Sequence, residues 1–171
     1  MKKILILLLA LIMVASLAAC GGETPSDTKG TEPNNATPAE GFVFNYKGTK
    51  ITIHAEAAPI LAALGEAKSY TESASCAFEG LDKTYYYGSF YLDTYPKGDK
   101  DYVYGFWFAD DSVSTEEGIY IGATKAQVEK AYGADAFNGS NAYNITKGDN
   151  ILTIIRENDV VTSIQYALAL S

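Results

Sequence analysis

The chain has a single histidine, His54, and only two cysteines, Cys20 and Cys76. One histidine is too little for the usual zinc ligand sets and gives His-dependent catalysis nothing to choose from. No nucleophile elbow, phosphate loop or pair of carboxylates at a catalytic spacing is present. The sequence therefore assigns no catalytic residue, no metal and no diffusible cofactor. Positive charge is scarce too: 13 Lys and Arg stand against 21 Asp and Glu, a net charge of −8. Such a chain gains nothing from counterion release on nucleic acid, which is not expected as a partner, and adheres poorly to anionic headgroups. There is one long apolar run, Ile4 to Leu17. At about 15 residues it is short for a membrane span.

That run is the most informative stretch present. Met1-Lys2-Lys3 is a basic n-region, the apolar run follows, and Leu17-Ala18-Ala19-Cys20 closes it. This is a secretory signal that ends in cysteine. It resembles the lipobox of bacterial lipoproteins. The resemblance implies cleavage between Ala19 and Cys20, acylation of Cys20 (palmitate being the usual type of chain), and a lipid anchor as the membrane partner. Residues 1–19 are then signal peptide. Lys2 and Lys3 leave with it, so the mature chain is two charges more negative. Residues 20–40 hold the lipidated cysteine and a tether. From Gly21 to Glu40 there is no aromatic residue and no aliphatic one larger than alanine. Such a segment cannot bury enough apolar surface to offset its ordering entropy. Twenty flexible residues span about 25 Å. The expected location is the extracytoplasmic face of a cell membrane. The Tyr-rich, acidic composition after Ala-Cys-Gly-Gly favours a Gram-positive envelope.

Residues 41–171 are expected to form one domain; about 130 residues suffice for a real core. Phe42 to Ile53 reads as two strands about a Lys47-Gly48 turn. Pro59 suits a first helical turn, Ile60, Leu61 and Leu64 share a face, and Gly65 stops the helix. A long strand is expected from Tyr85 to Tyr95, and Tyr102 to Ala109 returns as its partner. Ile119-Tyr-Ile leads into a second helix, opened by a Thr124/Gln127 capping box and stopped by Gly133. Strands near Asn141–Thr146, Ile151–Arg156 and Val160–Leu168 follow. A shift of 68 residues lays Ile51 on Ile119, Ile53 on Ile121, Ile60 on Val128, Ala63 on Ala131 and Gly65 on Gly133. This suggests an internal duplication, with half-repeats at about 42–110 and 111–171.

Two such units, with the stretch Ile121-Gly-Ala-Thr-Lys-Ala-Gln-Val-Glu-Lys-Ala-Tyr-Gly133, resemble the β-lactamase inhibitor protein (BLIP) fold and the small outer-membrane assembly lipoproteins. The resemblance covers about residues 42–170. It implies an α+β fold: two tandem helix-plus-antiparallel-strand repeats forming a curved sheet, with short helices on one face. No inhibitory residue matches, so it implies nothing about β-lactamase.

Period-two reading sorts the aromatics. One face of the Tyr85–Tyr95 strand would carry Tyr86, Gly88, Phe90, Leu92 and Thr94. The other would carry Tyr85, Tyr87, Ser89, Tyr91, Asp93 and Tyr95. With Phe106 and Phe108 core-facing, Trp107 joins Tyr85, Tyr87, Tyr91 and Tyr95 on the helix-free face. Such a face offers large contact area with polar tips, although cross-strand aromatics also simply stabilise sheets. Cys76 has no partner if Cys20 is lipidated, and the ordinary expectation for a free cysteine is burial. Asp99, Asp101, Asp110, Asp111, Glu116 and Glu117 lack EF-hand spacing. The expected function is a lipid-anchored binding module for an envelope protein, peptide or glycan, acting through the aromatic face. The alternatives are an envelope hydrolase using Asp110, Asp111 or Glu116, and an inhibitor of a secreted enzyme.

Overall fold

The computed structural model describes residues 41–169. The expected signal peptide, lipidated Cys20 and tether lie outside the described residues. Among those described, nine strands and two short helices are formed. A hairpin of β1 (Val43–Tyr46) and β2 (Thr49–Thr52) is followed by helix α1 (Ala57–Leu64). Then come β3 (Ser69–Ala74), β4 (Leu81–Tyr86), β5 (Phe90–Lys97) and β6 (Lys100–Phe108). Helix α2 (Lys125–Tyr132) leads into β7 (Ala142–Lys147), β8 (Asn150–Glu157) and β9 (Val160–Leu168). Strands β3 to β9 make one antiparallel sheet in the order β3-β4-β5-β6-β9-β8-β7.

Local chemistry accounts for the elements. Lys47 and Gly48 both take positive φ, which suits the twist of a two-residue hairpin, and Asn158-Asp159 does the same between β8 and β9. At α2 the Thr124 hydroxyl accepts from the Gln127 N–H at 3.3 Å, and the Gln127 side chain accepts from the Thr124 N–H at 2.8 Å. Two otherwise orphan donors are thereby satisfied. Glu56, which precedes α1, makes no such side-chain cap.

The expected fold class is not the one found. The chain is mainly β: a seven-stranded sheet and a two-stranded hairpin, rather than two helix-plus-strand repeats. Each helix is eight residues, about two turns, and neither could cover such a sheet. The β1–β2 hairpin does much of the covering. Ile119-Tyr-Ile, expected to repeat β2, is a loop. The Ile119 N–H donates to Thr115 Oγ1 at 3.1 Å and its carbonyl accepts from the Thr115 N–H at 2.8 Å, so its polar groups close locally instead of pairing in a ladder. The 68-residue correspondence holds from the approach to each helix through its glycine stop, α1 with Gly65 and α2 with Gly133, and does not extend back to a strand before α2. His54 and Ala55 bond to Val103 as Gly122 and Ala123 bond to Val161.

One core fills the covered face. Phe90, Leu92, Phe106, Phe108, Leu152, Ile154, Ile164 and Tyr166 come from the sheet; Phe44 and Ile51 from the hairpin; Ile60 and Val128 from the helices. Phe44 is the plug: its ring lies 5.0 Å from Phe90, 5.2 Å from Phe106 and 5.1 Å from Phe108. The opposite face of the sheet is open to solvent around Tyr91, Trp107, Gln165 and Thr153, while the segment between β3 and β4 covers part of it over Tyr95.

Candidate functional site: an aromatic and amide row beside a carboxylate pocket

Strand register lays out the open face. Tyr86 pairs with Tyr91, Tyr91 with Trp107, Trp107 with Gln165, Gln165 with Thr153, and Thr153 with Asn144. One row thus crosses six strands, β4 to β7. Its first three members stack: Tyr86 on Tyr91 at 4.4 Å and 25°, Tyr91 on Trp107 at 4.8 Å and 16°. Those spacings match the distance between strands, so the rings stand side by side on edge. Tyr91 covers one face of Trp107. The other face is turned toward β9, where Gln165, Thr153 and Asn144 continue the row. The Thr153 hydroxyl donates to Asn144 Oδ1 at 2.8 Å, which leaves the Asn144 amide hydrogens and the Gln165 side chain for a ligand. No member of the row is charged, in a chain with 34 charged side chains, 13 basic and 21 acidic.

The structure brings together Tyr91 and Trp107 but separates the other three expected residues. Tyr85 packs against the core, where burial first and foremost pushes its phenol pKa up. Tyr87 is buried on Phe90, centroids 5.2 Å apart, and is shifted the same way by the same cause. Tyr95 shares the open side but only 4% of it is exposed, beneath Phe78 at 4.4 Å. The expectation failed because Tyr85–Tyr95 is not one strand. It is a hairpin closed by Tyr87-Gly88-Ser89, with the Tyr87 N–H donating to the Phe90 carbonyl at 2.9 Å. Facing residues then sit at 86 and 91, and at 85 and 92, so odd and even numbers exchange faces across the turn. Tyr86, assigned by period two to the other face, belongs to the row. Gly88, with φ +96, was the available signal: a glycine inside a strand pattern marks a break.

Beside Trp107 the β3–β4 loop, residues 75–80, overhangs the sheet and forms one wall of a half-open pocket of about 370 Å³. Asp82, Asp93, Tyr104, Trp107 and Phe78 line it. The Thr84 hydroxyl donates to Asp93 Oδ1 at 2.6 Å. Burial nevertheless raises the Asp93 pKa to about 6; the Thr84 hydrogen bond opposes the rise and the Asp82 charge adds to it. Asp82 Oδ1 is hidden from solvent and has no hydrogen-bond partner among the described residues. Lys83 also lines the pocket, but its ammonium is engaged by Asp101 at 2.6 Å, and that hydrogen bond holds its pKa above the ordinary lysine value. Cys76, expected to be buried, is exposed on the overhanging loop.

At the far end of β5, His54 ties Tyr95 of that strand to Asp149 in the β7–β8 turn. Its Nε2 lies 2.7 Å from Asp149 Oδ2 and its Nδ1 2.9 Å from the Tyr95 hydroxyl. A carboxylate only accepts, so Nε2 carries the proton in that bond. This hydrogen bond is the main reason the Asp149 pKa is lowered. The carboxylates weighed for hydrolysis do not converge. Asp110, Asp111 and Glu116 are exposed. Asp110 accepts from the Ser112 N–H at 2.9 Å and from its hydroxyl at 2.5 Å, which lowers its pKa.

No family model and no curated protein matches the chain. Among solved structures it is similar to a cysteine-rich secretory protein of Staphylococcus aureus, with a TM-score of 0.44 and 12% identity. The match covers 68% of this chain and 44% of that protein's length.

Proposed function

We propose that this chain is a lipid-anchored, extracytoplasmic binding module and that its open sheet face holds a neutral envelope glycan. The observation that carries the reading is the in-register row Tyr86–Tyr91–Trp107–Gln165–Thr153–Asn144. A sugar has an apolar C–H face and a rim of hydroxyls. Trp107 supplies an indole face for the first. Gln165, Thr153 and Asn144 supply donors and acceptors for the second. A row without charge suits hydroxyls better than a peptide of either sign. The anchor belongs to the same proposal: acylated Cys20 and the tether would hold the domain just outside the membrane, on the outer leaflet of a Gram-positive cell. The test is cosedimentation of the purified chain with envelope polysaccharide. Trp107→Ala and Gln165→Ala are each expected to weaken binding about tenfold. Retention of full binding by both folded variants would overturn the proposal.

A further inference from the structure

We propose that the pocket under the β3–β4 loop is a separate site for a small organic cation, an alkylammonium, with Asp93 and Asp82 as its counter-charges. It goes beyond the glycan face and does not depend on it, although Trp107 borders both. Three observations carry it. The pocket, about 370 Å³ and half open to solvent, is in the range of small-ligand sites and fits an ammonium on a short carbon chain. Its two carboxylates have no counter-ion: the only cation on the lining, Lys83, is tied to Asp101. Third, the walls beside the carboxylates carry the rings of Phe78, Tyr104 and Trp107, which favour a cation with apolar substituents.

Those rings choose the kind of cation, since ammonium groups are attracted to ring faces. A hard metal ion wants six or more oxygens, and no group of three or more metal-ligating side chains occurs among the described residues. Thr84 and Asp82 of β4 act directly on Asp93, and the lining is shared with Ser73 of β3, Lys83 of β4, Tyr104 and Trp107 of β6, and Cys76 on the loop above. Among these only Lys83 is positive, and its charge is already matched by Asp101. The site should therefore take up its ligand better once Asp93 has lost its proton, above about pH 6.

Trp107 is the only tryptophan in the chain, so its emission reports the pocket directly. The full chain is titrated with tetramethylammonium chloride at constant ionic strength, with sodium chloride and sodium acetate as controls. Tetramethylammonium is expected to change the emission saturably and sodium salts are not. Asp93→Asn and Asp82→Asn are each expected to weaken the response about tenfold, while Asp111→Asn, at an exposed carboxylate outside the pocket lining, leaves it unchanged. Lowering the pH from 7.5 to 5 should weaken it in the parent but not in Asp93→Asn. A response equal in parent and Asp93→Asn, or none in the parent, would overturn the assignment. Circular dichroism of each variant confirms that the sheet is intact, and failure of glycan binding alone leaves this site standing.

Discussion

Asp93→Asn should make the protein more stable at neutral pH, although it removes a charged residue and adds no contact. Asp93 sits on β5 opposite Gly105, takes a hydrogen bond from Thr84, and is held partly out of water. Its pKa rises from 3.8 to about 6. The folded state therefore keeps this proton to a higher pH than the unfolded chain does. Between about pH 4 and pH 6 the native state binds more protons than the unfolded state, so stability falls as pH rises through that window and levels off above it. The full shift corresponds to about 3 kcal/mol; solvent reaching through the open pocket reduces this to about 2 kcal/mol. Asparagine keeps an oxygen for Thr84 and cannot ionise. Urea unfolding followed by Trp107 emission at pH 3.5 and pH 7.5 is the assay. The variant should exceed the parent by about 2 kcal/mol at pH 7.5 and match it at pH 3.5. An equal gap at both values, or a less stable variant at pH 7.5, would refute the reasoning.

Phe44→Ala removes the ring that fills the space between Phe90, Phe106 and Phe108, and should cost about 3–5 kcal/mol in chemical denaturation. In Gly105→Ala the added methyl would press on the Tyr166 carbonyl oxygen, where β6 meets β9; a fall in thermal midpoint with loss of slow-exchanging β6 and β9 amides is expected. Thr124→Ala breaks the α2 capping box and should lose about 1 kcal/mol, with the Gln127 amide exchanging faster. Cys20→Ala should abolish incorporation of labelled palmitate and release the protein from the membrane fraction; unchanged labelling would refute the anchor.

Much of the local structure was legible because short-range chemistry specifies it. The Lys47-Gly48 turn, the Gly65 and Gly133 helix stops and the α2 capping box all lie where the residues put them. The strands β7, β8 and β9 fall within about a residue of their expected bounds, since alternating apolar residues between polar turns leave few other readings. Strand β3 escaped notice because Ser69–Ala74 is exposed at every position and carries no apolar alternation. The site was half legible. Tyr91 and Trp107 were found, whereas Tyr85, Tyr87 and Tyr86 were misplaced by one unrecognised turn at Gly88. A one-residue change of register moves every following side chain to the other face.

The residues by themselves determined an acidic chain, a signal-like start ending at Cys20, a polar stretch unable to form a core, and a domain rich in short strands and aromatics. These follow from composition and from contacts a few positions apart. Only the tertiary structure decided that β6 lies beside β9, which carries the aromatic row of one half onto Gln165, Thr153 and Asn144 of the other. Only it set Asp82 and Asp93 around one pocket while turning Lys83 away to Asp101. Pairing between strands some 60 residues apart depends on the balance of the whole core and on each turn's length, which no local pattern records.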